Sequence, residues 1–285
     1  MAGGLDHVVH AVRDLAAAAE LYRRLGFTVG ARNRHAWGTH NHLVQLPGFF
    51  VELLTVAEPE KLGSDGFSAL FGTFNRIFLK DQEGLSLLIL ESDDAATDAA
   101  RFRSAGIGVS DAMRFEREGK RPDGAAVKVG FSLAFARDAK AAAVGFAVSQ
   151  QHFPENFWDP AFQQHGNTAS GIEAAVLVAD NPSEHRAFLS AFAGVRDLSV
   201  TSSGITASTP RGDISVIQPA AFRSRFGTEP PDVSRGARLA AMQFRVRDRA
   251  ALSAALAAGG IATFSRMDAT IVGPQTALGA TLVFH

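Results

Sequence analysis

The sequence predicts an α+β fold: four βαβββ modules paired into two cup-shaped, mostly antiparallel sheets with helices outside. Three observations predict it. An apolar strand, an acidic cap, a short amphipathic helix and a glycine stop follow one another in the same order four times. Each copy is followed by alternating apolar runs separated by turn residues, the pattern of half-buried hairpins. Finally, 46% of the residues are hydrophobic, and 22 Phe stand against 1 Tyr and 2 Trp, enough apolar side chain for extensive cores.

The four copies are VVHAVRDLAAAAELYRRLGFTV, LLILESDDAATDAARFRSAGIGV, AVLVADNPSEHRAFLSAFAGVRDL and QFRVRDRAALSAALAAGGIATF. Asp14, Asp93 or Asp94, Asp180 and Asp248 stand at the N-cap, where a side-chain oxygen accepts from the free N–H groups of the first turn. Gly26, Gly106, Gly194 and Gly259 stop the helices, since glycine enters the left-handed region without strain. In the first helix Leu15, Ala18, Tyr22 and Leu25 share one face, and Arg23 and Arg24 lie off it. Hairpins complete each copy: HNHLVQL turns at Pro47-Gly48 into FFVELLTV, and VKVGFSLAFA passes through Arg137-Asp138-Ala139-Lys140 to VGFAVSQQHF. GITAST with DISVIQP, and DATIVG with ATLVFH, serve the third and fourth copies.

The polar, glycine-bearing segment QQHGNTAS marks the main boundary, giving an N-terminal half, residues 1–165, and a C-terminal half, residues 166–285. With 28 basic and 29 acidic residues and no basic block, the chain lacks the electrostatic footprint of nucleic-acid or membrane-surface binding. A small-molecule partner is expected. Cysteine is absent, so disulfides, thiolate nucleophiles and cysteine-held zinc are excluded, and any metal must sit on His, Asp or Glu. No apolar run approaches a membrane span and MAGGLDHVV is no leader peptide, so the expected location is cytoplasmic. Four modules allow a self-sufficient monomer, and pairing between chains allows a homodimer.

Two residues are out of place in their strands. His7 interrupts an apolar first strand, and Glu52 sits among Phe49, Phe50, Val51, Leu53 and Leu54. A buried carboxylate needs a metal, a cation or a raised pKa, because desolvation disfavours its charge. With Leu46 paired to Phe49, Leu43 falls opposite Glu52; Thr39, Asn41 and Gln45 then share the Glu52 face, and His40 and His42 point away toward a surface or interface. His165, His185 and His285 have no spaced partner and are expected at the surface. His35 is expected in a loop over the cup, with Arg34 beside it as a candidate contact for an anionic substrate. Phe49, Phe50, Phe146, Phe153, Phe157 and Trp158 are read as core or cup lining, and aromatic walls with a few polar groups suit a partly apolar ligand.

A βαβββ unit with His on its first strand and Glu on its last resembles the vicinal oxygen chelate superfamily, which includes glyoxalase I, extradiol dioxygenases and bleomycin-resistance proteins. The sequence is most similar to its glyoxalase-like domain proteins: LDHVV, GTHN at Gly38–Asn41, VELL at Val51–Leu54, RPDG at Arg121–Gly124, and QHFPENFW with QQHGN follow in order. The resemblance implies paired modules closing into a cup with a divalent metal, Fe, Mn, Zn or Ni, holding two adjacent substrate oxygens. It implies His7 and Glu52 as ligands, with His152 the candidate third, since the second module offers only Ser86 or Leu87 and Ala147 at the corresponding places. Glu52 doubles as the candidate catalytic base, and Thr39 and Asn41 as substrate-orienting groups. In the third module the cap alignment puts Glu173 at the His7 position and Ser215 near the Glu52 position, so the C-terminal half is read as degenerate. The expected activity is that of a metal-dependent lyase, isomerase or dioxygenase; the alternative is a protein that sequesters a small molecule without chemistry.

Overall fold

The computed structural model describes residues 3–64, 66–120 and 124–285. Arg121, Pro122 and Asp123 of the RPDG motif lie outside the described residues.

In the first module β1 (Leu5–Ala11) runs into α1 (Leu15–Arg24), and the chain returns through β2 (Asn33–Arg34), β3 (Thr39–Leu46) and β4 (Phe49–Val56). A connecting segment then carries one π-helical turn, Ser68–Thr73, into α2 (Phe74–Asp81). The second module repeats the order: β5 (Gly84–Glu91), α3 (Ala95–Ser104), β6 (Met113–Lys120), β7 (Ala126–Ala136) and β8 (Gly145–Gln151), followed by the short α4 (Pro154–Phe157). The third contains β9 (Ala169–Val178), α5 (Arg186–Ala193), β10 (Ser199–Thr201), β11 (Gly204–Ser208) and β12 (Asp213–Ile217), and α6 (Pro219–Phe226) follows it. The fourth contains β13 (Arg238–Val246), α7 (Arg249–Ala258), β14 (Phe264–Arg266), β15 (Ala269–Val272) and β16 (Thr281–Phe284).

Two eight-stranded sheets result, ordered β2-β3-β4-β1-β5-β8-β7-β6 and β10-β11-β12-β9-β13-β16-β15-β14. Modules pair through their first strands, β1 with β5 and β9 with β13, both antiparallel. Within each module the first and last strands are parallel, because the helix carries the chain back over the sheet. The register at the Pro47-Gly48 turn is the expected one, Leu46 opposite Phe49 and Leu43 opposite Glu52.

Asp14, Asp94 and Asp248 cap their helices by accepting from two backbone N–H groups each. In the third module the cap is Asn181, not Asp180, because Pro182 at the first helical position moves the start one residue on, into a 3-10 turn. In the fourth the left-handed residue is Gly260, φ +62°, whereas Gly259 stays right-handed at φ −75°.

The convex faces of the two sheets and their helices share one core. Phe27 lies 5.6 Å from Phe244 and 6.1 Å from Phe284, and Phe146 lies 4.6 Å from Phe188, measured between ring centroids. The concave faces differ. That of the C-terminal half is filled by α6, whose Phe222 and Phe226 are fully buried against Ala174, Val176, Ala241 and Ile271. That of the N-terminal half carries aromatic walls around a cavity. No described helix is long and apolar enough to cross a membrane.

Candidate functional site

β1 and β4 are neighbours, so two residues distant in sequence reach the floor of the N-terminal cup together. His7 pairs with Phe50 and stacks on its ring at 4.3 Å, with the planes 12° apart. Glu52 stands opposite Val9, one same-face position further along, and its Oε2 lies 3.9 Å from His7 Nε2. A register shift between Leu5 and His7 marks a bulge in β1, and within it Asp6 accepts from His7 Nδ1 at 3.0 Å. Gln151 Nε2 of the second module donates to the other Asp6 oxygen at 3.1 Å.

A carboxylate only accepts, so the Asp6 bond places the imidazole proton on Nδ1 and leaves the Nε2 lone pair facing the cup. Asn41 Nδ2 donates to Glu52 Oε1 at 2.5 Å, and Asn33 holds Asn41 from behind at 2.9 Å. Burial pushes the Glu52 carboxyl above its ordinary range, against the opposing influence of His7, the Asn41 bond and Arg117. A buried carboxyl whose charge is disfavoured by desolvation, facing an imidazole lone pair, is suited to proton transfer.

The surrounding half-open cavity encloses about 490 Å³ when its mouth is counted. Phe50, Phe131 and Phe157 form the floor side, while Trp37, Phe67 and Phe115 meet near the mouth. His35 does lie over the cup, stacked on Trp37 at 4.6 Å, and burial with the nearby Arg117 charge lowers its pKa to about 3. Gly38, at φ +90°, turns this loop into β3; a Cβ there would strike the Glu58 carbonyl oxygen.

Several expected residues stand elsewhere. His152 does not join His7 and Glu52. Its Nε2 bonds Ser132 Oγ at 2.7 Å, and Ser132 alternates with the cup-facing Phe131 and Leu133, so His152 belongs to the opposite face. Thr39 shares the Glu52 face, but its hydroxyl is buried in a 2.8 Å hydrogen bond with His35 Nδ1 and does not border the cavity. Asn41 does border it, yet its amide is committed to Glu52 and Asn33, so it orients the carboxyl. Arg34 is exposed.

His40 and His185 are buried, not at the surface. His40 Nε2 bonds Glu58, and His185 Nδ1 bonds Asp138 at 2.6 Å across the two halves. With Asn181 as cap, the residue at the His7 position of the third module is Ala174; Glu173 points to Arg245 instead, and Ser215 does hold the Glu52 position.

Two residues went unnoticed in the sequence, Asp6 and Arg117. A bulge gives no periodic signal, so strand alternation does not reveal that Asp6 reaches the His7 ring. Arg117 was legible: in MRFEREGK, Phe115, Arg117 and Gly119 alternate onto the face of Val129, Phe131 and Leu133.

The donor set does not fit a tightly held divalent ion. His7 and Glu52 reach one point, but Leu87 and Ala147, both fully buried and apolar, occupy the matching places on β5 and β8. Among the described residues no three His, Asp or Glu side chains form a metal-holding group, and catalytic metal sites ordinarily use three protein ligands.

Comparison with known proteins agrees with this architecture. The family model described as "Glyoxalase-like domain" matches residues 5–192. Among curated proteins no sequence matches. A hypothetical protein from Staphylococcus aureus superposes with a TM-score of 0.70 at 13% identity, covering 99% of this chain and 98% of that one. A mutant 4-hydroxymandelate synthase from Streptomyces coelicolor gives 0.57 at 14% identity over 93% and 77% of the two chains. A 2,2',3-trihydroxybiphenyl 1,2-dioxygenase from Sphingomonas wittichii strain RW1 gives 0.53 at 11% identity over 100% and 91%. At such identities the likeness is one of fold.

Proposed function

Because the chain belongs to the glyoxalase-like domain family of the vicinal oxygen chelate superfamily, we propose that it is an enzyme acting on a small, partly apolar, oxygen-bearing molecule in the N-terminal cup. The proposed chemistry is proton transfer at Glu52, of the isomerase or lyase kind, without a tightly bound divalent metal. One observation carries the reading: a buried carboxyl of raised pKa faces an imidazole nitrogen 3.9 Å away whose tautomer is fixed from behind by Asp6. Glu52 takes or gives a proton next to a substrate carbonyl, His7 Nε2 accepts a hydrogen bond or proton from a substrate hydroxyl, and the aromatic walls exclude water.

The test is hydrogen–deuterium exchange next to the carbonyl, followed by NMR in deuterated buffer over a panel of small 2-hydroxy ketones and 2-hydroxy aldehydes. Loss of the base typically removes a factor of about 10²–10⁴, so Glu52→Gln is expected to abolish catalysed exchange while the fold persists. Equal exchange in the variant would overturn the assignment. Metal content after purification is expected to be far below one ion per chain. One ion per chain in the intact protein, lost in Glu52→Gln, would restore the metal-dependent reading.

A second reading, sequestration without turnover, is favoured by the apolar Leu87 and Ala147 where the second module would supply further ligands. It predicts saturable binding with no exchange for any member of the panel.

A further inference from the structure

Arg117 is the one cation that borders the cup cavity among the described residues. It projects from β6 of the second module, while the groups it acts on, Glu52 and His35, belong to the first. Its guanidinium is partly buried and has no carboxylate within ion-pairing distance among the described residues. Among the described residues its side-chain hydrogen bonding is a single 3.3 Å contact from Nη1 to the neighbouring Glu118 carbonyl oxygen. Five donors in a rigid fork are therefore almost unused in a place where water is scarce.

A second donor is stranded in the same wall. Trp37 Nε1 is buried and has no hydrogen-bond partner among the described residues, although the indole borders the cavity. Phe115, two residues before Arg117 on the same face, packs against Trp37 at 5.1 Å and links the two. Leaving a buried donor unsatisfied costs on the scale of a lost hydrogen bond, so Trp37 Nε1 and most of the Arg117 fork have donor capacity beside one cavity that no acceptor among the described residues uses.

Arg117 also stands between two spaces. With Leu43 and Phe157 it forms the wall shared by the cup cavity and an adjoining cleft of about 740 Å³, mouth included, that Gln45 and Trp158 also border. The guanidinium thus belongs to the lining of both spaces.

We infer that this site selects monocarboxylates with an aromatic or alkyl body, Arg117 gripping the carboxylate as a fork and Trp37 Nε1 donating to the same group. A single carboxylate matches one guanidinium, whereas a dianion would meet the nearby Glu52 carboxyl as well. The inference rests on the reading of the cup as a small-molecule site and assigns to Arg117 a specificity-determining role distinct from proton transfer.

The probes are 3-phenylpropanoate and its neutral amide, 3-phenylpropanamide, titrated calorimetrically into the full chain. The intact protein is expected to bind the carboxylate at least about tenfold more tightly than the amide, the scale of one charge-assisted hydrogen bond. Arg117→Gln is expected to erase that preference, and an unchanged melting temperature shows that the variant is folded. Arg117→Lys is expected to recover part of it, since the charge returns without the fork. Trp37→Phe is expected to weaken the carboxylate several-fold more than the amide.

Equal binding of both probes by the intact protein, or an undiminished preference in Arg117→Gln, would overturn the inference and leave the cup as a ligand site. Failure of both probes to bind would overturn the cup reading along with it.

Discussion

His7 Nδ1 donates to Asp6 Oδ2 across 3.0 Å, and the same ring turns Nε2 toward Glu52 Oε2, 3.9 Å away. The first contact fixes the chemistry of the second, since a carboxylate on one nitrogen leaves the other as a bare lone pair. Asp6→Asn offers an amide donor instead and permits the opposite tautomer. Catalysed proton exchange is expected to fall about 10–100-fold, the usual effect of losing an orienting carboxylate. Nitrogen-15 spectra of the imidazole should show the proton moving to Nε2, with the melting temperature nearly unchanged.

Glu52 pits stability against its role. Burial raises its carboxyl above the ordinary value of 4.5, so the folded chain keeps a proton that the unfolded chain has already released. Its contribution to stability is present at low pH and is lost as pH rises through the folded pKa. Glu52→Gln still accepts from Asn41 and carries no charge to desolvate. At pH 8 the variant is expected to melt about 2–4 °C higher for each ~1 kcal/mol gained, and at pH 4 the gain should vanish. Calorimetric scans at the two values check the sign.

His10 titrates in the opposite sense. Burial lowers its pKa to about 4, in a site where Nδ1 meets the Tyr22 hydroxyl at 2.9 Å and Nε2 donates to the Leu278 carbonyl at 3.0 Å. The unfolded chain therefore takes up a proton first on acidification. Stability from this site is complete above the unfolded pKa and is lost as pH falls from roughly 6.5 to 4, a span worth roughly 3 kcal/mol. His35, lowered to about 3, adds a loss of the same sign. Urea midpoints measured against pH should drop steeply over this window, and His10→Gln should flatten the drop while lowering the plateau at pH 7.

The filled C-terminal cup offers a different test. Phe222 is fully buried in the concave face of the second sheet. Phe222→Ala is expected to cost about 3–5 kcal/mol, the usual range for emptying an aromatic site. Ligand binding in the N-terminal cup should be unaffected, since α6 packs on the concave face of the other sheet. Denaturant unfolding together with a probe titration separates the two outcomes.

The modular architecture was readable because cap, helix face and glycine stop are local signals. Asp14, Asp94 and Asp248 cap as their positions suggest, and the turn at Pro47-Gly48 fixes the register that brings Asn41 alongside Glu52. The errors have equally local causes. Pro182 displaced one cap by a residue and with it the position aligned to His7, which is Ala174 and not Glu173. His152 was assigned by sequence proximity to the end of β8, but strand alternation carries it to the other face. Thr39 was on the correct face and was still covered, because a loop contact with His35 has no periodicity to reveal it. Asp6 needed a bulge, which only hydrogen-bond register displays.

Phe27, from the half with the cavity, is wedged against Phe244 and Phe284, from the half without one. Cut away from its companion, the first sheet would carry a wet aromatic ridge along its back. The second half of the chain, its own concave face filled by α6, thus serves as the foundation on which the first is built.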